Sequence, residues 1–219
     1  HESPDGVAPG QGLDALLDRG GLSLEDAARM VENVVGLHAL PLAIAPNFRV
    51  NGRDLLVPMV VEEPSVVAAA ANAARLAREG GGFTATATAP VMTCQIQLFA
   101  ADPAEAAARI RDRKAELLDV ATAATSPGLL ARGGGPVELE VRLPTEGTNL
   151  GPEERFVVVH LHVDVRDAMG ANLVDTLGEA LAPRLEQCSG GRVGLRILTN
   201  LAERRRVEVI RTASAAAVA

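Results

Sequence analysis

Two runs, Met92-Thr93-Cys94-Gln95-Ile96-Gln97-Leu98-Phe99 and Phe156-Val157-Val158-Val159-His160-Leu161-His162-Val163-Asp164-Val165, decide the fold. Both are rich in β-branched and aliphatic residues, are of strand length, and carry no internal glycine or proline, so they read as strands. Working outward, Pro103 to Ala124 reads as a helix, Val137 to Leu143 as a strand, Ala171 to Gln187 as a helix and Val193 to Leu198 as a strand. The order is β-α-β-β-α-β, the ferredoxin-like split βαβ arrangement. Gly133-Gly134-Gly135-Pro136 and the stretch from Thr145 to Pro152 fall in its connections. A domain is therefore expected at about residues 90–199.

The preceding part reads differently. Ser23-Leu24-Glu25-Asp26 sets a hydroxyl three residues before a carboxylate, a capping-box-like opening to an amphipathic run through Val35 that Gly36 ends. Phe48 to Val50 and Asp54 to Val61 are extended runs joined across Asn51-Gly52, a pair that tolerates positive φ and so predicts a hairpin. Pro64 stands where a first helical position would be, and the alanine-rich Ser65 to Arg78 is closed by Gly80-Gly81-Gly82. The fold class is α+β. At the other end Ala213 to Ala219 is low in complexity, and the chain shows no internal repeat.

Composition narrows the function classes. The 219 residues are 47% hydrophobic and 22% charged, which is the profile of a folded chain. A net charge of -7, no Lys/Arg cluster and 2% aromatics leave little to neutralise phosphates or stack bases, so nucleic acid is not expected as a partner. No apolar run is long enough to span a bilayer and the first residues do not form a secretory leader, so a cytoplasmic, membrane-free protein is expected. Cys94 and Cys188 read as reduced structural thiols.

Glu63 lies at a strand-to-helix junction, where the helix N-terminus favours the anion while burial behind Val57 to Val61 would favour the protonated acid. A proton donor near neutral pH needs burial to win. On spacing alone, capping by Glu62 or Glu63 is the commoner use of a carboxylate there, and Ser65 likewise reads first as a cap. Asp167-Ala168-Met169-Gly170-Ala171-Asn172 leaves a strong strand and enters a helix, with Gly170 permitting close backbone approach. It is not GxGxxG, and a plain strand-helix turn explains it equally. His160 and His162 share a strand face, but no third ligand stands at suitable spacing, so they read as solvent-facing or packed and no metal site is expected. His38 offers no partner in sequence. Thr84, Thr86 and Thr88 alternate with alanines, as in a half-exposed strand.

Four segments in order, Glu32-Asn33-Val34-Val35-Gly36, Asn47 to Asp54, Val57 to Ala70 with Glu62-Glu63-Pro64-Ser65 at its centre, and Asp164 to Asn172, resemble the consecutive signatures of class II hydroxymethylglutaryl-CoA (HMG-CoA) reductases. The resemblance runs from about residue 13 to 206. It implies a large HMG-CoA-binding and dimerisation domain begun by residues 1–89 and resumed at 200–219, with residues 90–199 as an inserted NAD(P)-binding domain. It implies two hydride transfers from NADH or NADPH that interconvert HMG-CoA with mevalonate and CoA, in a homodimer or dimer-based oligomer. Glu63 corresponds to the glutamate that donates a proton to the mevaldehyde carbonyl, and Ser65 to a substrate-binding position. Asp167, Ala168, Met169, Gly170, Ala171 and Asn172 correspond to the cofactor-binding motif, and Asn200 to another asparagine near the site. Glu32, Asn33 and Gly36 fall in the dimer motif. Thr125 aligns where NADH-preferring members carry an aspartate that disfavours a 2′-phosphate, so either dinucleotide is admitted. The family's catalytic lysine, second catalytic aspartate and flap histidine have no counterpart among these residues, and the single lysine, Lys114, falls on a helix of the inserted domain. The chain alone is therefore expected to be inactive. The alternative is a short, non-catalytic paralogue or fragment that binds dinucleotide or CoA.

Overall fold

A computed structural model of the chain describes residues 21–144 and 156–212. They divide into two compact units, one reaching to Thr84 and resuming at Val209, the other Ala85–Glu208. The stretch from Thr145 to Pro152 and the tail from Ala213 lie outside the described residues.

In the first unit, helix α1 (Leu24–Met30) opens as its sequence dictates, with the Ser23 hydroxyl oxygen accepting from the Asp26 amide at 3.0 Å. It stops at Val31, five residues before Gly36, with Val31 extended and Asn33 left-handed at φ 58°. The β-branched pair Val34-Val35 disfavours another turn, and among the described residues no apolar neighbour covers it: Met30, Val31 and Val35 are 72%, 60% and 100% exposed. Strands β1 (Leu42–Val50) and β2 (Arg53–Val60) form the expected hairpin, Asn51 and Gly52 both taking positive φ at the turn. β1 begins six residues earlier than expected. The sequence hides this because Pro46 interrupts the run, and the structure accommodates it at a bulge between Ala45 and Phe48. Helix α2 (Val66–Glu79) starts two residues after Pro64, so Pro64 is not its first residue, and its glycine stop is as expected. Gly82, at φ 94°, lies so close to Arg49 that a Cβ would sit 2.5 Å from the Arg49 carbonyl oxygen. Strand β3 (Phe83–Ala87), whose last three residues fall in the second unit, leaves Thr84 and Thr86 exposed, as the threonine alternation suggests.

In the second unit, β4 (Val91–Phe99) is followed by α3 (Pro103–Asp112), α4 (Lys114–Ala123), the single turn α5 (Pro127–Ala131), β5 (Gly135–Arg142), β6 (Phe156–Asp164), α6 (Ala171–Ser189) and β7 (Arg192–Leu198). The expected single helix from Pro103 to Ala124 is two, broken at Arg113. All pairings are antiparallel in the order β5-β6-β4-β7, which places the crossover-linked strands β4 and β5 on either side of β6. Strand β8 (Val207–Arg211), not expected from sequence, closes the first sheet in the order β2-β1-β3-β8. The chain is thus α+β, with two sheets that are mostly antiparallel.

The core belongs to the second unit. Ile96, Leu98, Ile110, Leu117, Leu161 and Leu181 are all 0% exposed and form one cluster between the sheet and α3, α4 and α6. Alternation along each strand sends Glu138, Glu140, His160 and His162 to the opposite face. Among the described residues no helix is long and apolar enough to cross a membrane.

Candidate functional site

The turn from β6 into α6 is built from the residues singled out in sequence. Val163 and Val165 anchor it in the core at 0% exposure, and the Ala168 amide donates to the Val165 carbonyl at 3.1 Å. Gly170 takes φ 99°, and a Cβ there would lie 2.9 Å from Val165 Cγ1, so the position demands glycine twice over. Gly170 is also the N-cap of the 19-residue α6, and no side chain caps that end. The first amides of a helix have no partner within it, and the helix dipole adds partial positive charge. Asp167, Ala168, Met169 and Asn172 are exposed around this end, Met169 at 75%. The arrangement is able to receive an anionic group on backbone amides.

Residues that sequence reasoning passed over hold the turn in place. The Arg166 amide donates to Asp164 Oδ1 at 2.9 Å, Arg166 is left-handed at φ 54°, and its guanidinium donates to the Gly133 carbonyl. Arg205 Nη1 lies 3.3 Å from the carbonyls of both Ala168 and Met169. A sequence signal was the Arg204-Arg205-Arg206 run, which corrects the expectation of no Lys/Arg cluster and whose partners are distant in sequence.

Thr125 and Asn200 belong to the same unit. Thr125 is 5% exposed and its hydroxyl donates to the Ala121 carbonyl at 2.9 Å, so it closes α4 and presents no carboxylate. Asn200 is exposed and its carbonyl accepts from the Ala202 amide at 3.0 Å.

In the first unit, Glu63 is exposed, so the burial expected behind Val57 to Val61 is not provided by these residues. The strand itself is half-exposed, with Val60 at 61%. Ser65 is the N-cap of α2, yet it is left-handed at φ 71° and its side chain caps nothing, contrary to the capping expectation. A serine held there costs on the order of 1–3 kcal/mol, a strain that clusters at ligand-binding segments. Glu32, Asn33 and Gly36 lie beyond α1 in exposed chain, and a Cβ on Gly36 would meet nothing within 4 Å.

His160 and His162 are packed, at 7% and 2% exposure, rather than solvent-facing. Burial first, then nearby arginine charge, lowers both pKa values, that of His160 to about 4. Glu140 reaches into the same cluster from β5, and the Arg142 guanidinium beside it holds its pKa down to about 2.

The family model described as hydroxymethylglutaryl-coenzyme A reductase matches residues 9–218. The chain belongs to the HMG-CoA reductase family. It is 48% identical over 191 residues to the HMG-CoA reductase of Archaeoglobus fulgidus, covering 87% of this chain and 42% of that protein. It is 28% identical over 172 residues to a probable HMG-CoA reductase of Borreliella burgdorferi, covering 37% of that protein. Among solved structures it is similar to HMG-CoA reductase of Streptococcus pneumoniae, with a TM-score of 0.82, 38% identity, and coverage of 93% of this chain and 53% of that one. A class II form from the same organism bound to NADPH in open conformations matches with a TM-score of 0.82 at 39% identity. The chain thus spans about half or less of the length of these HMG-CoA reductases.

Proposed function

We propose that this chain supplies the dinucleotide-binding unit and one catalytic carboxylate of an HMG-CoA reductase, which interconverts HMG-CoA with mevalonate and CoA at the expense of two reduced nicotinamide dinucleotides and two protons. The observation that carries this reading is the uncapped N-terminus of α6 at a turn that only glycine can make. The free amides from Ala171 onward suit a pyrophosphate, and Gly170 lets the turn that presents them pack against Val165. When bound, the nicotinamide supplies the hydrides.

In this reading Asp167 to Asn172 and Asn200 border the dinucleotide, Arg205 engages the Ala168 and Met169 carbonyls, and Arg166 ties the turn to the Gly133 carbonyl. Thr125 adds no negative charge, which is compatible with a 2′-phosphate. Glu63 gives its proton to the mevaldehyde carbonyl oxygen as hydride arrives at carbon, and Ser65, with a hydroxyl uncommitted to capping, contacts substrate. A homodimer through the Glu32 to Gly36 segment suits the exposed Met30, Val31 and Val35.

Calorimetric titration of the chain with NADPH and with NADH tests the reading. Saturable binding that Glu63→Gln leaves unchanged supports it. Failure of both dinucleotides to bind the folded chain refutes it.

A further inference from the structure

We propose that Glu140, His160 and His162 form a binding site for one divalent transition-metal ion of the zinc type, on the face of the second sheet turned away from the helices. Each residue offers one ligand atom, and the three atoms lie within 4.8 Å of one another. The register creates the cluster: Glu140 stands opposite His160, and His162 follows two residues along the same face. Two imidazoles with one carboxylate are a recurrent zinc set that leaves a position for water. Entry runs past Glu140, whose side chain is 33% exposed.

The surroundings are those of a held site. Metal-bound histidines as a rule engage their second nitrogen with an outer partner. Here Thr93 Oγ1 lies 2.8 Å from His162 Nδ1, and Gln95 Nε2 lies 2.9 Å from His160 Nε2, both from the neighbouring strand β4. His162 Nε2 is thereby left for a ligand, and His160 Nδ1 is freed for one when the Gln95 amide turns its oxygen to accept the ring proton on His160 Nε2. His162 Nε2 already faces Glu140 Oε2 at 3.4 Å, so the position between them is one that a proton or a cation must occupy. When metal takes it, the ring proton moves to Nδ1 and donates to the Thr93 hydroxyl oxygen, with no change in net protonation. Arg142 donates to Glu140 at 2.8 and 3.0 Å and orients it. Arg142 and Arg204, the latter 3.9 Å from Glu140, also oppose a cation and limit its affinity. Arg204 is partly offset by Glu138 at 2.5 Å.

The test begins with the chelator-treated, dialysed 219-residue chain, titrated with Co²⁺ while visible absorption is followed and then displaced with Zn²⁺. The expected result is one site with the d–d bands of low-coordinate Co²⁺ and no thiolate charge-transfer band, together with a rise in unfolding midpoint on adding Zn²⁺. Glu140→Gln and His160→Gln should each weaken binding by more than the ~10–100-fold that loss of an outer partner costs. Arg204→Gln should tighten it, a change that a merely structural polar network would not show. No spectral or thermal response of the unsubstituted chain, a thiolate band, or undiminished binding in folded Glu140→Gln and His160→Gln variants would overturn the proposal. If either variant does not fold, the spectrum of the unsubstituted chain decides alone.

Discussion

At the scale of single residues, positive φ and charge compensation carry the sharpest consequences. Gly170→Ala forces a Cβ to within 2.9 Å of Val165 Cγ1 at a left-handed position. The expected cost is about 1–3 kcal/mol in denaturant unfolding, with loss of dinucleotide binding. Ser65→Gly acts oppositely, relieving a left-handed serine, and should stabilise the chain by up to about 1 kcal/mol. His160 gives a pH dependence whose sign is fixed. Its folded pKa is pushed by burial to about 4, below the 6.5 of an unfolded histidine, so the unfolded chain takes up the proton first. Stability of the metal-free chain should therefore be full above pH ~6.5 and fall as pH drops to about 4. Thermal melts across that window check it, and His160→Gln should flatten the slope. Gly170 was legible in the sequence because a glycine between a strand and a helix has few other uses. Arg166, Arg205 and Glu140 were not, because their roles are contacts across 33, 36 and 22 residues of chain.

Elements show how packing overrides local preference. Glycine inside α6 at position 178 would gain up to about 1 kcal/mol of helix propensity on becoming alanine. A Cβ there would sit 2.7 Å from Cys94 Sγ on β4, and overpacking costs about 1–3 kcal/mol, so Gly178→Ala should lower the unfolding midpoint. The same packing keeps Cys94 at 0% exposure and pushes its thiol up to about 12. It should react with a thiol reagent only after denaturation. The β-α-β-β-α-β order was readable because aliphatic strands and alanine-rich helices differ in period. The missed features have local causes: Pro46 masked the start of β1, Arg113 broke a helix whose apolar pattern runs on, and β8 has all five residues exposed and so lacks a buried stripe to reveal it.

At the scale of the whole chain, burial is divided unequally. Among the described residues, the first unit buries only small residues, Ala27, Ala45, Ala74, Ala77 and Gly82, while the second holds the full aliphatic core. Amide exchange should therefore be slow across β4, β6 and α6 and fast in α1 and β2. The identity of the family was legible from four short segments in order. The exposure of Glu63 was not, since burial is set by contacts distant in sequence. The chain mixed with HMG-CoA and NADPH is expected to leave the reduced-cofactor absorbance unchanged, because the only lysine, Lys114, pairs with Glu138 at 3.8 Å. The central claim is that α6 receives the dinucleotide on its free N-terminal amides, and amide chemical shifts recorded as NADPH is added test it most directly. The largest, saturable shifts are expected at Gly170, Ala171, Asn172 and Leu173, and none in folded Gly170→Ala. Saturable shifts confined to other parts of the chain, or none at all, would contradict it.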